Sequence, residues 1–82
     1  MDERFAALSA EALSAIESAG AAADAEASLE AVRVQYLGRK GRVTDLLRGL
    51  AQASPEERRT LGAELNALRE GVGAALDAAQ AR

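Results

Sequence analysis

The segment that decides the fold reads LEAVRVQYLGRKGRVTDLLRGL and spans residues 29 to 50. Its larger apolar residues recur at a seven-residue spacing, with a second set between them at the d positions of the same heptad. The first set is Leu29, Tyr36, Val43 and Leu50, and the second is Val32 and Leu46. Arg39 occupies the remaining d position. The spacing is typical of the apolar seam that two packed helices share.

Three glycines within this segment, Gly38, Gly41 and Gly49, would by themselves indicate loops. Each costs about 1 kcal/mol relative to alanine inside a helix. Because the seam keeps its phase across the glycines, we predict one continuous helix from about residue 25 to residue 51, with Asp24 as its N-cap. Such a helix would be roughly 40 Å long.

A second long helix begins at Ser54-Pro55-Glu56-Glu57. Serine is a favoured N-cap, proline is favoured at the first helical position, and a glutamate three residues after the serine completes a capping box. Apolar residues then recur in steps of three and four up to Ala79, which predicts a helix over residues 55–82. Because a connection of only a few residues makes neighbouring helices antiparallel, residues 24–82 are predicted to form a helical hairpin.

Upstream of the hairpin, Phe5, Leu8, Ala12 and Ile16 predict a short amphipathic helix within residues 1–20. We expect this helix to fold against the open end of the hairpin. The predicted fold class is therefore all-α: an antiparallel two-helix coiled-coil hairpin preceded by a short N-terminal helix. The apolar pattern still continues at residue 82, which indicates a fragment of a longer chain.

Composition excludes several functional classes. The chain has 82 residues, and 21 of its 40 hydrophobic residues are alanine, which suits a thin helical seam better than an enclosed active site. The absence of cysteine and histidine removes disulfides, the usual zinc ligands and the commonest catalytic base. Neither a signal peptide nor a run of about 20 apolar residues is present. We predict a cytoplasmic protein segment without catalytic residues, bound cofactor, metal site or membrane contact.

Charge is distributed unevenly along the chain. Residues 1–30 sum to −6, residues 31–50 to +4 and residues 51–82 to −1. The basic middle is a candidate phosphate-binding patch, made of Arg39, Lys40 and Arg42 with Arg33 and Arg48 nearby. Gly38 and Gly41 fall at heptad positions c and f, where missing side chains would let a sugar-phosphate backbone approach closely. The alternative is a solvated basic face that pairs with acids of a neighbouring arm or subunit.

The string Tyr36-Leu37-Gly38-Arg39-Lys40-Gly41 resembles the Tyr-Leu-Gly-Lys-Lys-Gly signature in the N-terminal region of bacterial phenylalanyl-tRNA synthetase alpha subunits. The resemblance continues through Pro55-Glu56-Glu57-Arg58 and Gly62-Ala63-Glu64-Leu65-Asn66, and covers roughly residues 28 to 82. Arginine at position 39 replaces the commoner lysine, which keeps the charge but changes its geometry.

The resemblance implies a coiled-coil arm that binds tRNA(Phe), with Arg39 and Lys40 as the matching basic residues. It further implies an (αβ)₂ parent enzyme with a beta subunit, a second alpha subunit, and a separate catalytic domain that uses ATP and magnesium. Arg33, Arg42 and Arg48 are candidates on charge alone. The competing hypothesis is a coiled-coil hairpin that serves only assembly or dimerisation.

Overall fold

A computed structural model of the chain describes residues 3–81, and all of its regular structure is helical. The four α-helices are α1 (Glu3–Gly20), α2 (Ala25–Leu37), α3 (Arg42–Gly49) and α4 (Pro55–Gln80), and a 3₁₀ turn (Leu50–Gln52) follows α3. Within residues 3–81 no strand is present, which confirms the all-α prediction. The predicted helical positions 1, 2 and 82 lie outside the described residues.

Helix α1 packs along most of the length of α4 and not only against one end of the bundle. Its N-terminal Phe5 shares a surface cavity with Leu50 and Leu61, where α3 turns toward α4. Its C-terminal Ile16 shares another with Ala75 and Ala79, near the end of α4. Helices α1 and α4 therefore run in the same direction within an elongated bundle of 45 × 21 × 18 Å. The expectation that the first helix folds against the open end is therefore incomplete, because α1 also packs where α3 turns toward α4.

Most of the core consists of apolar residues that the periodicity singled out, and Ala19 of α1 and Leu76 of α4 are buried in addition. Five positions of α1 at three- and four-residue steps are buried, and so are four positions of α4. Because α1 contributes a complete apolar face, the core is shared by three layers of helix instead of two. The buried residues are Phe5, Leu8, Ala12, Ile16, Ala19, Leu29, Val32, Tyr36, Val43, Leu65, Leu68, Val72 and Leu76.

The two predicted N-caps behave differently. Ser54 caps α4 as expected, because its hydroxyl accepts a hydrogen bond from the Glu57 backbone N–H at 3.2 Å. Asp24 stands at the N-cap position of α2 but makes no side-chain cap. Its carboxylate instead accepts a hydrogen bond from the Ser28 hydroxyl at 2.9 Å. None of the helices in residues 3–81 is long and apolar enough to cross a membrane.

The predicted continuous helix over residues 25–51 is wrong, because the chain leaves the helical conformation from Gly38 to Gly41. The seam nevertheless survives the interruption, with Tyr36 2% and Val43 1% exposed on either side of it. Both side chains keep their place in the seam because they are buried against α1 and α4. Burial fixes where the two side chains lie, but it does not require the backbone between them to be helical. The apolar seam therefore keeps its phase although the helix is interrupted.

Candidate nucleic-acid interface

The basic segment forms a short turn, residues 38–41, that is braced on both sides by hydrogen bonds. The Gly41 N–H donates to the Gly38 carbonyl at 2.9 Å, and the Gly38 N–H donates to the Val34 carbonyl at 3.1 Å. The Thr44 hydroxyl adds a second donor to the Gly38 carbonyl at 2.8 Å. Because the backbone N–H and carbonyl groups of both glycines have partners within the chain, the turn is a defined structure and not a frayed helix end.

Gly38 and Gly41 serve the turn itself. Both have extended backbones, with φ of −69° and −77°, which any residue can adopt. Space is the constraint: a Cβ on Gly41 would lie 2.8 Å from the carbonyl carbon of Tyr36, and one on Gly38 would collide with the Val34 carbonyl oxygen. Gly41 is buried and Gly38 half-buried. The prediction that both glycines face solvent is wrong, because the chain's own backbone occupies the space beside them.

Arg39 and Lys40 lie at the apex of the turn with exposed side chains. Neither side chain forms an ion pair or a hydrogen bond with any residue between positions 3 and 81. Their two positive charges are therefore available to an external anion. The Arg39 carbonyl, by contrast, accepts a hydrogen bond from the Arg48 guanidinium at 3.2 Å, which holds the turn from the α3 side.

The other three candidate residues have partners within the chain. Arg33 on α2 reaches α4, where its guanidinium lies 2.6 Å from the Asp77 carboxylate and 2.9 Å from the Gln80 side-chain oxygen. Arg48 lies 3.9 Å from Asp45 on its own helix. Arg42 at the start of α3 pairs with Glu11 of α1. The structure thus groups Arg39, Lys40, Arg42 and Arg48 around the turn and directs Arg33 toward the far end of α4.

Glu11 is the site residue that sequence reasoning missed. Its carboxylate accepts hydrogen bonds from the Tyr36 hydroxyl at 2.7 Å and from Arg42, so one acid of α1 joins the end of α2 to the start of α3. Burial, together with the Glu11 carboxylate, raises the pKa of the Tyr36 phenol, and the nearby Arg42 partly offsets this. The sequence offered one indication that Glu11 could contact another helix: it lies next to Ala12, at the edge of the apolar face of α1.

A family model described as the N-terminal domain of class II aminoacyl-tRNA synthetases matches residues 24–82. The chain belongs to this family. The matched residues comprise the turn and the helices α2, α3 and α4, so the family domain includes the whole basic segment. No solved structure matches the chain.

Relatives of this synthetase N-terminal domain are phenylalanine–tRNA ligase alpha subunits. The one from Anoxybacillus flavithermus is 49% identical over 99% of the chain and 22% of the relative. The one from Geobacillus thermodenitrificans is 48% identical over 100% of the chain and 23% of the relative. In Afipia carboxidovorans the identity is 57% over 79% of the chain and 18% of the relative.

These alignments show that the chain is an N-terminal region of the alpha subunit, as the resemblance indicated. It spans about a fifth of the length of the curated relatives it matches. The two nearly full-length alignments also include α1, which lies outside the family match, and so they include Glu11.

Proposed function

We propose that this chain is a tRNA-binding arm of a phenylalanine–tRNA ligase alpha subunit, which positions tRNA(Phe) for aminoacylation by a catalytic domain elsewhere in the enzyme. The observation that carries the proposal is the pair of exposed cations, Arg39 and Lys40, on a braced turn. Other basic groups of the same segment are tied to acids, whereas these two have no partner among residues 3–81. A rigid turn that presents two unpaired cations suits phosphate contacts.

The proposed contribution is positioning and not chemistry. Contacts from lysine and arginine to phosphates fix the orientation of a nucleic acid without reading its sequence. Correct placement of the tRNA acceptor end lowers the activation barrier of aminoacylation at a distant catalytic domain. The orientational entropy is then lost when the tRNA binds and not during the reaction itself. The only aromatic residue near the turn, Tyr36, is buried, so it offers no stacking surface for a base.

In the parent enzyme, α2 with α3 would form one arm of an antiparallel coiled-coil hairpin and α4 the other. Support comes from Arg33 of α2, the first helix of that arm, which contacts Asp77 near the end of α4. Support also comes from Asp45 and Leu46 of α3, which share a cavity with Leu61 near the start of α4. We further propose a cytoplasmic (αβ)₂ enzyme whose catalytic domain uses ATP and magnesium, as the relatives' name as tRNA ligases suggests.

The test replaces both free cations with glutamine, in the double variant Arg39→Gln/Lys40→Gln. Binding of labelled tRNA(Phe) transcript is measured by fluorescence anisotropy across a salt series. If both phosphate contacts are lost, the slope of log K against log salt should decrease in magnitude by about 1.4–1.8, and affinity near 0.1 M salt should fall on the order of 25- to 60-fold. Helix content, measured by circular dichroism, should not change because neither side chain packs in the core.

The matched control is Arg58→Gln/Arg59→Gln, which removes two adjacent, exposed positive charges from α4. It makes the same change in net charge but leaves the turn intact, so its effect on tRNA affinity should be smaller. Equal losses in the two double variants would mean that general charge, and not the turn, controls binding. Unchanged tRNA affinity in the turn variant, accompanied by altered self-association in sedimentation experiments, would support the competing assembly function.

A further inference from the structure

Arg42 differs from the free cations of the turn because it is paired and yet stands beside them. It is the first residue of α3, two positions after Lys40, and its side chain is 51% exposed. The Glu11 side chain that binds it is 46% exposed. Water therefore reaches both partners, and an ion pair in contact with water contributes little to stability because solvent screens it.

We propose that Arg42 is a latent phosphate-binding residue, and that Glu11 occupies its guanidinium until a nucleic-acid phosphate replaces the carboxylate. The inference deepens the proposed function and rests on it, since the phosphate would belong to the RNA bound at Arg39 and Lys40. A carboxylate and a phosphate present the same paired oxygen acceptors to a guanidinium. Glu11 thus holds the position that a phosphodiester would take.

The side chains around Arg42 are compatible with both states, Arg42 bound to Glu11 and Arg42 bound to a phosphate. When Arg42 exchanges the Glu11 carboxylate for a phosphate, Glu11 keeps the hydrogen bond from the Tyr36 hydroxyl at 2.7 Å, so it is not left without a partner. Tyr36 in turn keeps its buried ring in the core. The Arg42 guanidinium carbon lies 5.9 Å from the centre of that ring. This cation–π contact favours a position of the guanidinium above the ring while the terminal nitrogens of Arg42 exchange one acceptor for the other. Exchange therefore requires a side-chain movement and no unfolding of the turn.

Glu11 accordingly lowers RNA affinity by competition, and removing its charge should raise affinity. The variant Glu11→Gln keeps an oxygen that accepts the Tyr36 hydroxyl but removes the negative charge. Loss of an exposed ion pair that competes with RNA for Arg42 should tighten the Kd for tRNA(Phe) transcript about 1.4- to 5-fold. The matched control is Glu17→Gln, which makes the same charge change on the same helix at an exposed residue without a partner among residues 3–81.

A double-mutant cycle separates competition at Arg42 from a general charge effect. Glu11→Gln should tighten binding in the native background and have no effect when Arg42→Gln is also present, because the freed guanidinium is then missing. Arg42→Gln alone should reduce the magnitude of the salt slope by about 0.7–0.9, the value of one phosphate contact. This second measurement tests the proposal even if Glu11→Gln loses helix content in circular dichroism.

Three results would overturn the inference: an equal gain from Glu11→Gln in both backgrounds, a gain of the same size from Glu17→Gln, or an unchanged salt slope in Arg42→Gln. Each can occur while Arg39→Gln/Lys40→Gln still weakens binding, in which case the proposed function stands and only the role of Glu11 and Arg42 fails. If the native chain shows no salt-dependent binding of tRNA(Phe), the proposed function and this inference both fail.

Discussion

The turn at residues 38–41 can be tested by a substitution that lowers the stability of the protein if the turn exists and raises it if the helix is continuous. Gly41→Ala adds a Cβ that would lie 2.8 Å from the carbonyl carbon and oxygen of Tyr36 and 2.9 Å from the Gly38 nitrogen. All three atoms belong to the backbone, so no flexible side chain can move aside. Overpacking of this kind typically costs about 1–3 kcal/mol. We expect Gly41→Ala to lower the free energy of unfolding by that amount.

The matched substitution is Gly71→Ala, in the middle of α4. Gly71 is exposed and nothing lies within 4 Å of the position its Cβ would take. Alanine there removes the conformational freedom of a helical glycine, which should raise stability by about 1 kcal/mol. The two variants have the same chemical change in opposite surroundings, so they should move stability in opposite directions.

Thermal and urea unfolding followed by circular dichroism measure both variants. For a chain of this size, 1 kcal/mol corresponds to about 4–8 °C in Tm. Gly41→Ala should therefore lower Tm by at least about 4 °C, and Gly71→Ala should raise it by about 4–8 °C. In an uninterrupted helix both glycines would be exposed helical positions and both substitutions would stabilise. A Gly41→Ala variant more stable than the native chain would refute the turn and restore the continuous helix.

Two further predictions concern the helix cap and the buried phenol. Ser54→Ala removes the acceptor of the Glu57 N–H and should lower the free energy of unfolding by about 0.5–2 kcal/mol in urea titrations, whereas Ser14→Ala, in the middle of α1, should leave it unchanged or slightly raised. Tyr36 is the only tyrosine, so phenolate absorbance reports it alone, and its midpoint should lie above 10. Because the folded-state pKa is the higher one, the neutral phenol stabilises the fold below about pH 10, and this contribution is lost as pH rises through the folded-state pKa. Tyr36→Phe should remove that loss, and an unfolding profile identical to the native one would contradict the assignment.

The sequence predicted the core well because burial selects side-chain type at a regular spacing. Phe5, Leu8, Ala12 and Ile16 were expected on one face of the first helix, and all four are buried. The cap at Ser54 was equally predictable, since its partner lies three residues away in the chain. Local spacing carries both kinds of information.

The remaining features depend on contacts between distant segments. Glu11 meets Tyr36 across 25 positions and Arg42 across 31, and no spacing rule connects an exposed acid to either. The direction of α1 along α4 likewise follows from how three apolar faces close on one another. The contact between Arg33 and Asp77 also depends on how the helices pack. The charge distribution along the sequence therefore suggested one basic patch, whereas in the structure Arg33 lies apart from the basic residues around the turn.

One residue within the segment did indicate the break. Arg39 stands at a d position, and in a continuous helix its guanidinium would enter the apolar seam between Tyr36 and Val43, where an unpaired charge is costly. The turn resolves this conflict, because it exposes Arg39 while both neighbours stay buried. Gly38 and Gly41 make the turn possible, since a side chain at either position would strike the backbone of α2. The same backbone change that removes a charge from the core therefore places it at the apex of the turn, beside Lys40, where a phosphate can reach it.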